Sequence, residues 1–258
     1  MPAPVPGYFA PTPGMQATEG GTVTLPLLTV TQVAPYQSGP AGVHGVLGQA
    51  ALAMAELGTM AGLEPVTVHD VAAVAPQRLS GGGVLALFTI GETPWSAPQR
   101  TAILDAVGNG RLAVLGIHAA TDACRDWDDY ERLVGARFDG HPWTQEFTVE
   151  VLEKDHPATA HFAPCFQWRD EVYLFSQLRS DATVLLQVAD DQLDMTVPGA
   201  RRPAHGFPLC WCAEEGRGRI FYTSLGHFPA AWESPAYLAH LAGGLRWLLG
   251  RSEESVGR

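Results

Sequence analysis

Three short runs in the sequence consist almost entirely of apolar and β-branched residues, and each is followed by a segment whose apolar residues recur at helical spacing. The runs cover residues 27–33, 84–88 and 112–117. A strand with one face in water alternates apolar and polar side chains, so continuous runs indicate strands that are covered on both faces. Strands of this kind separated by helices predict an α/β fold with a mainly parallel central sheet flanked by helices.

Boundary signals support the helices in this interpretation. Residues 44–61 carry apolar side chains at helical spacing, and Gly62 follows as a stop signal. Ser96 can cap the next helix, over residues 97–107. Two further helices are predicted, over residues 127–134 and 235–249. The first three helices therefore fall between predicted strands, as an α/β fold requires.

From Glu146 onward, strand patterns outnumber helix patterns. Four segments have the composition of strands: residues 147–151, 172–175, 183–188 and 219–223. Some of these segments alternate apolar with polar residues, as half-exposed strands do. We therefore expect a β-rich C-terminal half added to the parallel sheet.

Neither a long linker nor an internal repeat divides the chain. We expect a single domain over residues 25–250. Proline and glycine recur too often in residues 1–24 for a helix or a central strand, so this segment is predicted to be a flexible arm. Residues 251–258 are predicted to form a C-terminal tail.

The charge balance excludes several classes of partner. The formal net charge is −11, from 16 lysine and arginine residues against 27 aspartate and glutamate residues. Without a cationic run, the chain lacks what binds nucleic acid or an anionic membrane surface. No apolar stretch approaches the roughly 18–20 residues of a membrane helix, and residues 1–21 lack the pattern of an export signal. We expect a cytoplasmic protein, and a homo-oligomer is compatible with the sequence.

The four cysteines do not form a recognisable metal or redox motif. Cys124, Cys165, Cys210 and Cys212 include no C-x-x-C pair and no zinc-ribbon spacing. Free cysteines are among the most buried residue types, so ordinary buried or half-buried thiols are expected.

Histidines follow the predicted ends of several strands. His118 comes directly after the run at 112–117, His227 follows the strand at 219–223, and His44 lies where the first helix begins. Ligands of parallel α/β sheets gather beyond the carboxyl ends of the strands. We therefore expect these three side chains to line one concave site.

Four further residues are candidates for this site. Asp122 follows His118 by four residues and could be an acid or an orienting partner, with a helix cap as the alternative. His141 could bind substrate, and the neighbouring Trp143 could offer a stacking face to a sugar. Glu171 comes just before a predicted strand. A solvated loop carboxylate is the simpler interpretation, and a carboxylate that points inward and binds substrate is the functional one.

The turn at residues 116–120 has the small neighbours of a strand-to-helix nucleophile elbow. A hydrolase or an amidotransferase would carry serine or cysteine at the position of His118. The chain contains no G-x-S-x-G motif, and Cys124 is not at the turn. A covalent acyl-enzyme mechanism is therefore not expected.

Six fragments, taken together in their order and spacing, resemble the ThuA-like (trehalose utilisation) proteins. They are GIHAATD at 116–122, WDDY at 127–130, LVGARFDGHP at 133–142, DHPAT at 155–159, DEVY at 170–173 and GRGRIFYTSLGH at 216–227. The resemblance spans about residues 27–250. It implies a flavodoxin- or amidotransferase-like sheet that has lost the Cys–His–Glu catalytic set. It also implies a role in carbohydrate metabolism, with disaccharides or their oxidised (keto) derivatives as ligands.

Two parts of the chain depart from the family pattern. In the loop over residues 34–44, only His44 matches the relatives, and residues 190–205 match no family pattern. The arm at the N-terminus lies outside the resemblance. These departures leave the identity of the substrate open.

Two kinds of chemistry fit the histidines. As general acids and bases, imidazoles could move protons on a sugar hydroxyl or carbonyl. As metal ligands, they could hold a divalent ion such as zinc, although the candidates lack H-x-x-x-H spacing and depend on tertiary convergence. The candidate ligands are His44, His118, His141 and His227.

The sequence thus predicts an enzyme that acts on a small-molecule sugar without a cysteine nucleophile. The predicted catalytic residues are His118, His227 and Asp122, and the predicted substrate-binding residues are His44, His141, Trp143 and Glu171. The alternative is a non-catalytic sugar-binding or regulatory domain. An imidazole pair within ~3–5 Å would favour the enzyme, whereas histidines that all bond to backbone carbonyls would favour the binding domain.

Overall fold

The structure is a computed structural model that describes residues 24–34, 45–189 and 192–250. All but the last residue of the predicted arm, the whole predicted tail and His44 lie outside the described residues.

Helices and strands alternate along the first half of the chain, and strands dominate the second. The strands are β1 (Pro26–Val30), β2 (Glu64–Val68), β3 (Gly83–Leu87), β4 (Leu112–Ile117), β5 (Ala136–Phe138), β6 (Trp143–Val151), β7 (Cys165–Val172), β8 (Phe175–Leu178), β9 (Thr183–Val188), β10 (Pro208–Glu215) and β11 (Gly218–Thr223). The helices are α1 (Leu47–Met60), α2 (Pro76–Ser80), α3 (Ala97–Gly108), α4 (Tyr130–Val134), α5 (Pro229–Glu233) and α6 (Pro235–Leu248).

Within the described residues, nine strands form one sheet in the order β2-β1-β3-β4-β11-β10-β9-β6-β7. The first five strands are parallel to one another. The remaining four neighbours pair antiparallel. The two remaining strands, β5 and β8, form a small antiparallel sheet of their own. The predicted α/β class and the β-rich C-terminal half are both confirmed.

Strands β1, β3 and β4 are covered on both faces, as their continuous apolar runs predict. Along β3, Val84 and Ala86 pack into one hydrophobic cluster, and Leu85 and Leu87 pack into another on the opposite face. The first cluster includes buried side chains of α1, α5 and α6, and the second includes those of α2, α3 and α4. Successive strand residues point to opposite faces, which gives the sheet two separate apolar cores.

The predicted strand at 172–175 is wrong in its bounds. In the structure, β7 ends at Val172 and β8 begins at Phe175 in the small sheet. The chain leaves the edge of the main sheet at Tyr173. It then forms β8, which pairs with β5. The apolar pattern continues across this break because both strand ends are buried.

The short helix predicted at 127–134 is also shorter in the structure, where α4 begins at Tyr130. Among the described residues, no helix combines the length and the apolar character that a bilayer crossing demands.

Candidate active site at the carboxyl edge of the sheet

Three strands end at the same edge of the sheet. β4 and β11 are parallel neighbours. From β11, the order β10-β9-β6-β7 reverses direction four times, so β7 points the same way as β11. In a flat sheet the ends of β11 and β7 would lie about 19 Å apart, from four strand spacings. Hydrogen bonds from the loop after β11 to Asp170 at the end of β7 nevertheless connect the two strand ends.

His118 is the first residue after β4 and is fully buried. Its φ of 48° lies in the left-handed region, which residues other than glycine seldom adopt. The hydroxyl of Tyr222 donates a hydrogen bond to the His118 carbonyl oxygen at 2.6 Å and stabilises this turn. A histidine therefore projects from the strand end at the elbow position.

The tautomer of His118 follows from its partners. Nδ1 lies 2.8 Å from the carbonyl oxygen of Ser224, which can only accept a hydrogen bond. Nδ1 therefore carries the proton, and in the neutral ring Nε2 presents a lone pair to the site.

Three polar groups surround that lone pair. The hydroxyl of Tyr173 lies 2.8 Å from His118 Nε2, and His227 Nδ1 lies 3.1 Å from it. Glu171 Oε2 lies 3.5 Å from His118 Nε2 and 3.5 Å from His227 Nδ1. We call these four residues the His118 cluster. The cluster joins the ends of β4, β11 and β7.

His141 lies at the exposed side of the cluster. Its Nδ1 is 3.5 Å from Glu171 Oε1, and 45% of its side chain is exposed to solvent. Burial lowers the pKa of His141, and the negative charge of Asp122 opposes that shift. The imidazole therefore connects the buried Glu171 with solvent.

Asp170 connects the backbone segments that carry Glu171 and His227. Its carboxylate accepts hydrogen bonds from the backbone N–H groups of Gly226 at 2.9 Å and His227 at 3.3 Å. It also accepts from Trp168 Nε1 at 3.2 Å and from the N–H of Glu171 at 3.0 Å. Asp170 is fully buried, and burial raises its pKa to about 7 against the effect of these donors. It ties the end of β7 to the loop that carries His227.

Burial dominates the electrostatics of the cluster. It raises the pKa of Glu171 to about 7, although a hydrogen bond with Tyr173 acts in the opposite direction. It lowers the pKa of His227, and the nearby His141 lowers it further. It also raises the pKa of Tyr173. A low-dielectric interior disfavours charge, and strongly shifted groups of this kind are typical of functional sites.

Two sequence predictions for this site need correction. The solvated-loop interpretation of Glu171 is wrong, because Glu171 lies within β7 and is buried. Trp143 does not offer a stacking face, since it is buried, donates from Nε1 to the Asp194 carbonyl and packs edge-on against Phe207. It pairs with Val172, whose side chain points to the opposite face from that of Glu171.

Asp122 is near the cluster but does not orient His118. Its carboxylate pairs with Arg125 Nη2 at 2.7 Å, and the partner of His118 Nδ1 is the Ser224 carbonyl instead. The structure thus brings His118, His227, Glu171 and His141 together. Of the other predicted residues, it places Asp122 beside them and Trp143 in the core, and His44 lies outside the described residues.

Cys124 does not resemble an activated nucleophile. It is buried, and its thiol donates to the carbonyl oxygen of Thr93 at 3.8 Å. Burial raises its pKa to about 12, so the thiolate is disfavoured. Cys210 and Cys212 are also buried, whereas Cys165 is exposed.

Sequence reasoning did not single out Tyr173, Asp170 or Ser224 as site residues. Asp170 and Tyr173 belong to the DEVY fragment, so the only available signal was their place in that fragment. Ser224 contributes a backbone carbonyl, which any residue type could supply.

Comparison with known proteins agrees with this fold. A ThuA-like protein from Bacteroides uniformis is similar over 93% of this chain and 98% of that chain, with a TM-score of 0.71 and 19% identity. A ThuA-like protein from Parabacteroides merdae matches over 89% and 92%, with a TM-score of 0.67 and 16% identity. A cytoplasmic protein from Salmonella typhimurium LT2 is similar over 77% of this chain and 86% of that chain, with a TM-score of 0.57 and 11% identity. At such identities the likeness shows the fold alone.

The family follows from the sequence profile. No protein with curated annotation matches the chain. The profile described as "ThuA: Trehalose utilisation" matches residues 36–248, which is most of the sequence. The chain therefore belongs to the ThuA (trehalose utilisation) family.

Proposed function

We propose that this protein is an enzyme that acts on a disaccharide or an oxidised (keto) sugar by proton transfer at the His118 cluster. The family is described by trehalose utilisation, which supports a carbohydrate-related role. The observation that carries the proposal is the imidazole pair of His118 and His227, 3.1 Å apart, beside a buried carboxylate at the strand ends. We further propose that the enzyme works in the cytoplasm, as the name of its Salmonella neighbour suggests for that protein.

His118 is the proposed base. Its Nδ1–H is fixed by the Ser224 carbonyl, so the Nε2 lone pair has a defined direction. A substrate hydroxyl, or the carbon beside a keto group, would replace one of the donors that now face Nε2 and give up its proton there. Proton transfer to a positioned imidazole is what His118 Nε2 is oriented to perform.

Glu171 and His141 are the proposed route to solvent. Glu171 Oε2 faces both imidazoles of the cluster, and Oε1 faces His141. Because His141 is half exposed, it can exchange a proton with water and bind the sugar at the mouth of the site. In this proposal Glu171 relays protons between the buried pair and His141.

The alternative is a sugar-binding domain without catalysis. It predicts that the ring nitrogens of the site bond to backbone carbonyls. His118 Nδ1 bonds to the Ser224 carbonyl, whereas His118 Nε2 and His227 Nδ1 face each other at 3.1 Å. This arrangement favours proton transfer.

The test is a substrate screen with a matched pair of variants. The purified protein is incubated with trehalose, other disaccharides and keto sugars, and products are followed by NMR. His118→Asn keeps a donor for the Ser224 carbonyl but has no Nε2, so turnover is expected to fall by about 10²–10⁴-fold. His161→Asn is the control, because His161 is exposed and bonds to the Ala236 carbonyl. Sugar binding without any turnover in the parent, or equal turnover in His118→Asn, would overturn the proposal.

A further inference from the structure

Three ligand-type atoms of the His118 cluster form a nearly equilateral triangle. His118 Nε2 and His227 Nδ1 are 3.1 Å apart, and Glu171 Oε2 is 3.5 Å from each of them. A point about 1.95 Å from all three atoms lies at the centre of that triangle. Zinc binds imidazole nitrogen at about 2.0–2.1 Å and carboxylate oxygen at about 2.0–2.2 Å. An ion just outside the plane of the triangle would therefore reach all three atoms without movement of the chain.

The surroundings of these atoms match those of metal ligands. Metal-bound histidines usually donate their other ring N–H to a carbonyl or carboxylate, which fixes the ring. His118 does this through Nδ1 and the Ser224 carbonyl. Asp170 fixes the backbone N–H of His227 and of Glu171 from beneath. One buried carboxyl group thus fixes the backbone of both other ligand residues.

We propose that His118 Nε2, His227 Nδ1 and Glu171 Oε2 bind one divalent transition-metal ion of the zinc type. Three protein ligands leave one position open in a four-coordinate site, as in catalytic zinc centres. Two imidazoles and one carboxylate suit zinc and its neighbours rather than calcium or magnesium, which prefer sites made of oxygen alone.

The inference rests on the proposed function for the place of the site and refines its chemistry. With the ion bound, the lone pair of His118 would serve as a ligand, so His118 would hold the ion instead of acting as the base. The ion would supply Lewis-acid polarisation of a sugar hydroxyl or carbonyl oxygen. Tyr173 and His141 border the triangle and remain available to hydrogen-bond the sugar.

The experiment measures metal alone, without sugar. Tag-free full-length protein is dialysed against a chelator and then titrated with Co²⁺, whose visible absorption reports four-coordinate binding. Zn²⁺ is added afterwards as a competitor. We expect one Co²⁺ per chain, with the absorption of a tetrahedral site and displacement by Zn²⁺.

The variants locate the ion. Glu171→Gln keeps the shape of the side chain, and His227→Ala removes a ligand in the loop after β11 without emptying the core. Each should weaken Co²⁺ binding by more than the roughly 10–100-fold that loss of an outer hydrogen-bond partner costs. His161→Ala should bind Co²⁺ as the parent does.

The outcomes separate this inference from the proposed function. A parent protein that binds no Co²⁺ would overturn the metal site, as would equal affinity in Glu171→Gln and His227→Ala. Sugar turnover that needs His118 in a protein without metal binding would keep the function and remove the ion. Binding of Co²⁺ at the cluster without turnover of any sugar would keep the ion and remove the function.

Discussion

Two strands of the main sheet, β4 in the parallel half and β7 at the antiparallel edge, differ in how they are buried. In the parallel half, all six residues of β4 are buried. In the antiparallel half, β7 alternates exposed and half-buried positions from Cys165 to Arg169 and is buried only over its last three residues. Those three include Asp170 and Glu171. Strand β4 is therefore packed along its whole length, whereas β7 enters the core only where it reaches the site.

Neither half forms the site alone. His118 and His227 follow strands of the parallel half, and Glu171 and Tyr173 come from the end of β7. Asp170 joins the halves at the carboxyl edge through the Gly226 and His227 amides. A second junction lies at α6, which packs against β4 and β11 of the parallel half. His240 of α6 bonds to the Ala158 carbonyl between β6 and β7 of the antiparallel half. The site therefore depends on these two junctions, at Asp170 and at His240, as much as on its own residues.

Of the substitutions considered, Asp170→Ala should lower the free energy of unfolding most, because it removes the junction between the two halves. Four N–H groups would lose their acceptor, and each buried donor left unpaired costs about 1–3 kcal/mol. We expect the free energy of unfolding, measured in urea, to fall by about 3 kcal/mol or more. Asp170→Asn keeps an acceptor oxygen and should lose less. A loss below about 1 kcal/mol for the alanine variant would show that the halves do not depend on this junction.

The second junction should make the protein sensitive to acid. His240 is fully buried and donates from Nδ1 to the Ala158 carbonyl at 2.8 Å. Burial lowers its pKa to about 3 and that of the nearby His156 to about 4. Because both histidines are neutral in the fold, the unfolded chain binds more protons below about pH 6.5, and stability falls as the pH falls.

For His240 alone, the expected loss is about 1.4 kcal/mol per pH unit between pH 6 and pH 4, measured by urea denaturation at each pH. His240→Asn keeps a donor for Ala158 and cannot titrate, so its stability should depend less steeply on pH in this range. An equal slope in both proteins would contradict the assignment of the acid sensitivity to His240.

Gly116→Ala tests the packing of the parallel half. A Cβ at this position would lie 2.8 Å from Tyr222 Cδ2, inside the fully buried strand β4. Overpacking of this kind costs about 1–3 kcal/mol. The shift of Tyr222 should also disturb its hydrogen bond to the His118 carbonyl, so any sugar turnover should fall with stability. Urea denaturation and the NMR assay check the two effects, and a variant as stable and active as the parent would contradict them.

Gln167→Ala should have the smallest effect, because it probes the exposed part of β7. Gln167 is exposed, and its amide donates to Thr148 Oγ1 across the β6–β7 pair at 2.8 Å. Surface changes of this kind usually alter stability by no more than about 0.5 kcal/mol. A loss above about 1 kcal/mol in urea denaturation would show that the exposed part of β7 is as constrained as β4.

The sequence by itself determined the parallel half. The runs at β3 and β4 could be recognised because strands covered on both faces must be apolar at successive positions. The start of α3 after Ser96 and the end of α1 before Gly62 also follow from local signals. The position of His118 at a strand end followed from the same pattern, since it needs only the local chain.

Only the tertiary structure decided which residues share the site. Glu171 and Tyr173 stand 53 and 55 residues beyond His118 in the sequence, in and directly after a strand four places from β11 in the sheet. The short pattern around Glu171 is the same for a solvated loop and for a buried strand end. Hydrogen bonds join the end of β7 to the loop after β11, and this contact depends on how the three intervening strands place the two strand ends. No local segment encodes that placement, which makes Glu171 part of the His118 cluster and leaves Trp143 in the core.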